Sequence, residues 1–322
     1  MKFVTFSIVA IFFTSGAYAW GEDAHMTIGY LAMEFLAPNA LSFVKSSLGS
    51  TYDESLGPAA TWADDVRSEK AYSWSASFHF VDANDNPPTS CSVSESRDCS
   101  AGNCILTAIA NYTTRVVDTS LSATQRQEAL KFLGLFPPPY DGFLGDIGQP
   151  LHVEALEVGG NDIDTKCGGS STNLHATWDT GMPEKLLAAN YSSNVQTWAS
   201  ALATRIKTGE YKSLAADWIN CSSTTMTLSQ RRSIEDDVKD LLQDSVAKVT
   251  PLQCPLVWAQ EANAFDCSYV FSYQTAANPK EDLCTSSYFT GAVPIIEEQL
   301  AKQGYRLAAW LNVLFDGATN LP

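Results

Sequence analysis

The sequence predicts a single, mainly α-helical domain, and three observations support that fold class. Apolar residues recur at helical spacing in several separate stretches. No run of alternating apolar and polar residues marks a half-buried strand. No linker, internal repeat or low-complexity tract divides the chain.

The elements follow in chain order. Lys2 precedes an apolar run from Phe3 to Phe13, and small residues then lead to Ala17-Tyr18-Ala19. A charged start, a short apolar core and an A-x-A site are the parts of a secretory signal peptide. The run is too short to span a bilayer comfortably, and no later stretch approaches ~20 apolar residues. The expectation is a signal peptide over residues 1–19 and a single mature domain over 20–322, secreted and beginning at Trp20. A first helix is expected from Ile28, Leu31, Ala32, Phe35 and Leu36, with Pro38 where it would end. Ser122 and Gln125 form a capping box ahead of Ala129, Leu130 and Leu133. Ile234, Val238, Leu241, Leu242 and Val246 make a further amphipathic stripe. A last helix is expected from about Ile295 through Leu300, Leu307 and Leu311, interrupted but not clearly ended by Gly304. Residues 82–104 and 158–174, rich in Pro, Cys, Gly, Ser and Thr, are expected to be long loops.

Composition agrees with export and restricts the partners. Eight cysteines form an even set, which an oxidising compartment allows to pair into as many as four bridges. Asn111, Asn190 and Asn220 lie in N-x-S/T sequons. A net charge of -16 argues against binding duplex DNA through a basic patch. It leaves room for a nucleic-acid substrate held through bound cations, because clustered Asp ligands are balanced by divalent metal.

The chain has only four histidines, His25, His79, His152 and His175. His175 and Asp179 are spaced i, i+4, which sets both on one helix face within reach of a common metal. An ordinary helix-surface hydrogen bond would use the same spacing. Asp146 and His152 are six residues apart with Pro150 between them, so they suit neighbouring metals better than a shared one. Arg67 lies three residues after Asp64, and one helix face could present a ligand and a phosphate-binding guanidinium. His79 is followed by Phe80 and Asp82, and Phe80 could stack on a base or simply fill the core. At the expected new N-terminus, the α-amine and carbonyl of Trp20 could chelate a metal with His25, about one helical turn on.

Taken together, these segments resemble the secreted, single-strand-specific fungal nucleases with three zinc ions, the S-one/P-one family, with bacterial zinc phospholipases C as distant relatives. The resemblance runs in order through Trp20-Gly21 to His25, Trp62-Ala63-Asp64 to Arg67, and His79-Phe80-Val81-Asp82 to Pro88. It continues through Gly145-Asp146 to His152, Gly159-Gly160-Asn161, and Asn173-Leu174-His175 to Asp179, and ends in Gly304-Tyr305-Arg306-Leu307-Ala308-Ala309-Trp310-Leu311.

The resemblance implies a helical domain whose long loops surround a trinuclear Zn2+ site. Trp20 and His25 would hold one zinc, with Asp146 bridging to a second that also takes Asp64 and His79. His152, His175 and Asp179 would hold the third. Asp64 would also orient the attacking oxygen and Arg67 would face the scissile phosphate, while Phe80 and Asp82 would bind the nucleobase. Cys91–Cys267 and Cys99–Cys104 match family disulfides. The implied activity is endonucleolytic hydrolysis of single-stranded DNA and RNA to 5′-phosphates, with 3′-nucleotides as further substrates. A monomer with no stable protein partner and no membrane association is expected.

The family pattern has a histidine four residues before Asp146, where this chain has Gly142. The preceding Leu135-Phe136-Pro137-Pro138-Pro139-Tyr140-Asp141 resembles an insertion of about seven residues whose consecutive prolines cannot continue a helix. Either the segment is a mis-translated exon boundary and the protein carries that histidine, or the second zinc lacks a ligand. A phospholipase C-like phosphodiesterase and an inactive relative with an impaired second site are the competing readings.

Overall fold

The computed structural model describes residues 20–60, 70–134, 142–221, 233–243, 252–272 and 281–322. Among them, the helices of eight residues or more are α1 (Glu22–Met33), α2 (Pro38–Leu48), α3 (Ile105–Val117), α4 (Ala123–Gly134), α5 (Met182–Asn190), α6 (Val195–Lys207), α7 (Ile234–Gln243), α8 (Gln253–Phe265) and α9 (Ser287–Asp316). This is the single, mainly helical domain that the apolar periodicity predicts.

The centre of the fold is α9 against α1. The sequence reading starts the last helix near Ile295, but the Ser286 hydroxyl accepts from Tyr288 N and starts it two turns earlier. The helix runs through Pro294 and Gly304 and stops at Gly317, which is left-handed at φ 80°. Gly304 is a contact point rather than an interruption. A Cβ there would lie 2.6 Å from Leu31 Cδ2, so its absence lets α1 and α9 approach closely. Gly29 does the same on another side of α1, where a Cβ would lie 2.8 Å from the Leu56 carbonyl. Trp20, Trp178, Trp198, Trp258 and Trp310 are fully buried in the resulting core.

Other elements also differ from the sequence reading. α1 ends at Met33, so Phe35 and Leu36 lie beyond it, and Pro38 begins α2 instead of closing α1. Proline is favoured at a first helical position because no intrahelical partner awaits its missing N–H. The loop over 158–174 contains a hairpin, β1 (Asp164–Cys167) with β2 (Ser170–Asn173), antiparallel with Asp164 opposite Asn173 and Cys167 opposite Ser170. Gly168 and Gly169 form its two-residue turn at φ 60° and 84°, the positive φ pair that twists a hairpin correctly. These strands are mostly polar and only Thr165 is buried, so they carry no apolar alternation by which to recognise them. The capping box is present: Gln125 Oε1 accepts from Ser122 N at 3.0 Å, and Ser122 Oγ accepts from Gln125 N at 3.3 Å.

All eight cysteines pair, as Cys91–Cys267, Cys99–Cys104, Cys167–Cys284 and Cys221–Cys254. Cys167–Cys284 ties the hairpin to the segment leading into α9. Asp237 lies near Cys221 and Cys254, but its carboxylate accepts from Cys254 N at 2.5 Å and the sulfurs are bonded to each other. That cluster is structural. Among the described residues, no helix is long and apolar enough to cross a membrane.

Candidate metal centre

Five separate stretches of chain bring all four histidines into one buried region. His25 lies in the first turn of α1, behind Gly21, whose N–H donates to the Asp179 carbonyl at 2.7 Å. A Cβ on Gly21 would lie 2.8 Å from Thr180 Oγ1, so glycine permits this close approach. Trp20, just before it, is fully buried. Asp146 ends the short helix Phe143–Asp146, and Gly145 leaves room for His25, whose Cε1 would be 2.7 Å from a Cβ there. His79 ends the 3₁₀ segment Lys70–His79. The Asp146 carboxylate lies between two of these rings, with Oδ1 3.1 Å from His25 Nε2 and Oδ2 2.9 Å from His79 Nδ1.

His152 belongs to the 3₁₀ turn Pro150–Val153. His175 is on Leu174–Ala176, a turn started by Asn173, whose side chain accepts from Ala176 N at 2.7 Å. Asp179 follows in the widened turn Thr177–Gly181, one turn beyond His175 as the i, i+4 spacing requires. His175 Nε2 is 3.0 Å from Asp179 Oδ2 and 3.2 Å from His152 Nε2. Ligand atoms of these three residues all lie within 4.8 Å of one another.

The protonation of this trio follows from its neighbours. His152 Nδ1 is 2.9 Å from the His79 carbonyl, and His175 Nδ1 is 2.7 Å from the Gly159 carbonyl. A carbonyl only accepts, so each Nδ1 must carry the hydrogen. A neutral imidazole then has a lone pair on Nε2. Two such lone pairs and a carboxylate oxygen therefore converge where His152 and His175 are 3% and 4% exposed and Asp179 is fully buried. Only a cation or an added proton relieves that arrangement in so dry a place. Two imidazole nitrogens and a carboxylate oxygen are a suitable ligand set for a divalent transition metal. Burial, the larger cause, lowers the His25 pKa to about 3, which keeps its imidazole neutral and able to ligate.

Several supporting residues escape a reading of spacing alone. Gln149 is fully buried; its Oε1 accepts from Leu151 N at 2.6 Å and its Nε2 donates to Asp179 Oδ1 at 2.5 Å. Glu157, Val158, Gly159 and Gly160 all have positive φ. This left-handed run aims the Gly159 carbonyl at His175, and glycine tolerates the conformation where Val158 is strained. The glycine pair is visible in the sequence, but the role of the Gly159 carbonyl as the acceptor for His175 Nδ1–H is not.

The remaining candidates divide into two groups. Half-buried Phe80 and exposed Asp82 lie immediately after His79, where Val81 N donates to the His152 carbonyl at 3.0 Å. Asp64 and Arg67 lie outside the described residues. Gly142 is the extended residue preceding Phe143–Asp146, and residues 135–141, with the three prolines, lie outside the described residues. Position 142 offers no ligand atom from a side chain. Asp141 lies outside the described residues.

The family model described as S1/P1 Nuclease matches residues 20–316. The chain belongs to the S1/P1 nuclease family. Among its relatives, Nuclease P1 of Penicillium citrinum is 40% identical over 293 residues, covering 91% of this chain and 97% of its own. Nuclease S1 of Aspergillus oryzae is 37% identical over 297 residues, covering 92% of each chain. Endonuclease 2 of Arabidopsis thaliana is 29% identical over 309 residues, covering 92% of this chain and 91% of its own. The S1/P1 match starts at Trp20, the residue at which the A-x-A site would release the mature chain.

Proposed function

We propose that this S1/P1 nuclease is a secreted, zinc-dependent endonuclease that hydrolyses single-stranded DNA and RNA to 5′-phosphate products and also removes 3′-phosphates from nucleotides. Nuclease activity follows from the family. The observation that carries the metal dependence is the convergence of His152 Nε2, His175 Nε2 and Asp179 Oδ2, which is electrostatically unfavourable unless a cation or an added proton sits among them.

His152, His175 and Asp179 would hold one zinc. His25 with the Trp20 amine and carbonyl would hold another, and His79 with Asp64 a third, with Asp146 shared between those two. The Trp20 amine becomes free only if processing follows Ala19. When bound, zinc lowers the pKa of a coordinated water to about 7 and polarises phosphoryl oxygen. The protein residues do the rest. Arg67 neutralises charge developing on the phosphate, and Asp64 orients the attacking oxygen. Phe80 and Asp82 hold a splayed base, which a base-paired strand cannot supply, and this accounts for single-strand preference.

The test compares hydrolysis of single-stranded DNA, the same sequence as a duplex, and phosphatidylcholine, before and after metal removal. The account predicts cleavage of the single strand alone and its loss with the metal. Cleavage of lipid alone would favour the phospholipase reading. Gly142 supports a second reading, in which the Asp64/His79 site binds zinc weakly and the chain is an impaired relative. Fewer than two zincs in the natively processed protein, with no nuclease activity, would establish it.

A further inference from the structure

Six of the seven described tryptophans are at most 5% exposed, whereas Trp74 is 48% exposed. A single exposed apolar side chain is ordinary on a protein surface. What distinguishes Trp74 is where it is and how it is held. It lies in the 3₁₀ segment Lys70–His79, five residues before the candidate ligand His79. Its ring meets Phe78 edge-on at 5.9 Å and Phe132 at 5.6 Å. The aromatic series continues from Phe132 to Phe143 at 5.7 Å and from Phe143 to His79 at 5.2 Å. The indole is thus anchored on two rings continuous with the candidate centre, while nearly half of it faces solvent. A ring fixed in advance loses little rotamer freedom when a ligand stacks on it.

The charge balance makes such a surface useful. With 36 acidic and 20 basic residues, the charge balance disfavours holding a nucleic-acid strand mainly through phosphate–cation contacts. Base stacking, which any base can provide, is the other source of strand affinity beyond the metals. We propose that Trp74 is a second base-stacking subsite, taking a nucleobase of single-stranded nucleic acid a few nucleotides from the scissile phosphate. At about 2 Å rise per residue, Trp74 is about 10 Å from His79 along its segment. That distance is the rise of about three stacked nucleotides at about 3.4 Å each. The inference rests on the nuclease reading and extends it from one base to a short strand.

The test uses the zinc-loaded enzyme, with dithymidylate and octathymidylate as substrates for the wild type, Trp74→Ala and Trp74→Phe. Loss of one stacked base should raise KM for the octanucleotide by roughly fivefold to a hundredfold in Trp74→Ala. Its kcat, and both parameters for the dinucleotide, should stay near the wild-type values, and Trp74→Phe should recover most of the loss. Wild-type KM for the octanucleotide overturns the proposal. So does an equal loss on both substrates, which would mark Trp74 as merely structural. Failure of the wild type to hydrolyse either substrate would instead overturn the nuclease reading beneath it. As a measurement independent of turnover, octathymidylate should shield a tryptophan from iodide quenching in the wild type but not in Trp74→Ala; no shielding in the wild type would count against the subsite.

Discussion

Gln149→Met probes how the candidate centre is held together. The substitution nearly conserves volume but removes both functions of the amide. Gln149 Oε1 is committed to Leu151 N at 2.6 Å, which fixes the amide so that Nε2 must donate to Asp179 Oδ1 at 2.5 Å. Loss of a hydrogen bond to a charged acceptor costs about 1.5–3 kcal/mol, and a buried N–H left unpaired costs about 1–3 kcal/mol. Together they should destabilise the metal-free protein by roughly 3–5 kcal/mol. The effect on metal is separate. With Oδ1 held by Gln149, Asp179 presents Oδ2 towards His175. Without Gln149 the carboxylate can rotate, and affinity at the His152/His175/Asp179 set should fall about 10- to 100-fold, as for other partners of metal ligands. Competition against a fluorescent zinc chelator measures this directly. A variant that unfolds more easily yet binds zinc at that set as tightly as the wild type would refute the positioning role.

Three further outcomes are expected. Burial, then the charges of Glu154 and Asp85, raises the Asp266 carboxyl well above the usual carboxylate range, so the folded protein retains a proton that the unfolded chain loses near pH 4. Stability from this group is present at low pH and declines as pH rises towards its folded pKa; Asp266→Asn should raise Tm at pH 7 and flatten that decline, and an unchanged pH slope would count against it. A methionine left ahead of Trp20 should remove one zinc and abolish activity, whereas an unchanged zinc count would eliminate the N-terminal ligand. Excision of residues 137–142 with a histidine placed before Phe143 should strengthen zinc binding at the His79 set by about 10- to 100-fold; calorimetric titration showing no change would mean that Gly142 is not the limiting defect.

The parts legible in the sequence were those governed by local spacing. His175 and Asp179 meet because four residues make one turn, and the Ser122–Gln125 box forms because its reach is three residues. The apolar stripes of α1, α7 and α9 indicated helices, but their ends depended on neighbours. Pro38 is equally compatible with closing one helix and opening the next, and the structure uses it to open α2. Convergence of His25, His79 and Asp146 from three distant elements was invisible to periodicity and came only through family resemblance. Gln149 was a letter in a motif until the fold brought Asp179 against it. The β1–β2 hairpin was missed because short polar strands carry no core-facing pattern. Its one strong local sign was the Gly168-Gly169 turn.

The measurement that bears most directly on the central claim follows hydrolysis of a single-stranded oligonucleotide by the natively processed protein, first stripped of metal and then titrated with zinc, with bound zinc counted by native mass spectrometry at each step. The account predicts no hydrolysis without metal, and activity that returns as the buried His/Asp sets fill, with at least two zincs bound per chain. Undiminished hydrolysis by the metal-free protein, or activity that returns while His152→Ala and His175→Ala bind zinc as well as the wild type, would contradict it.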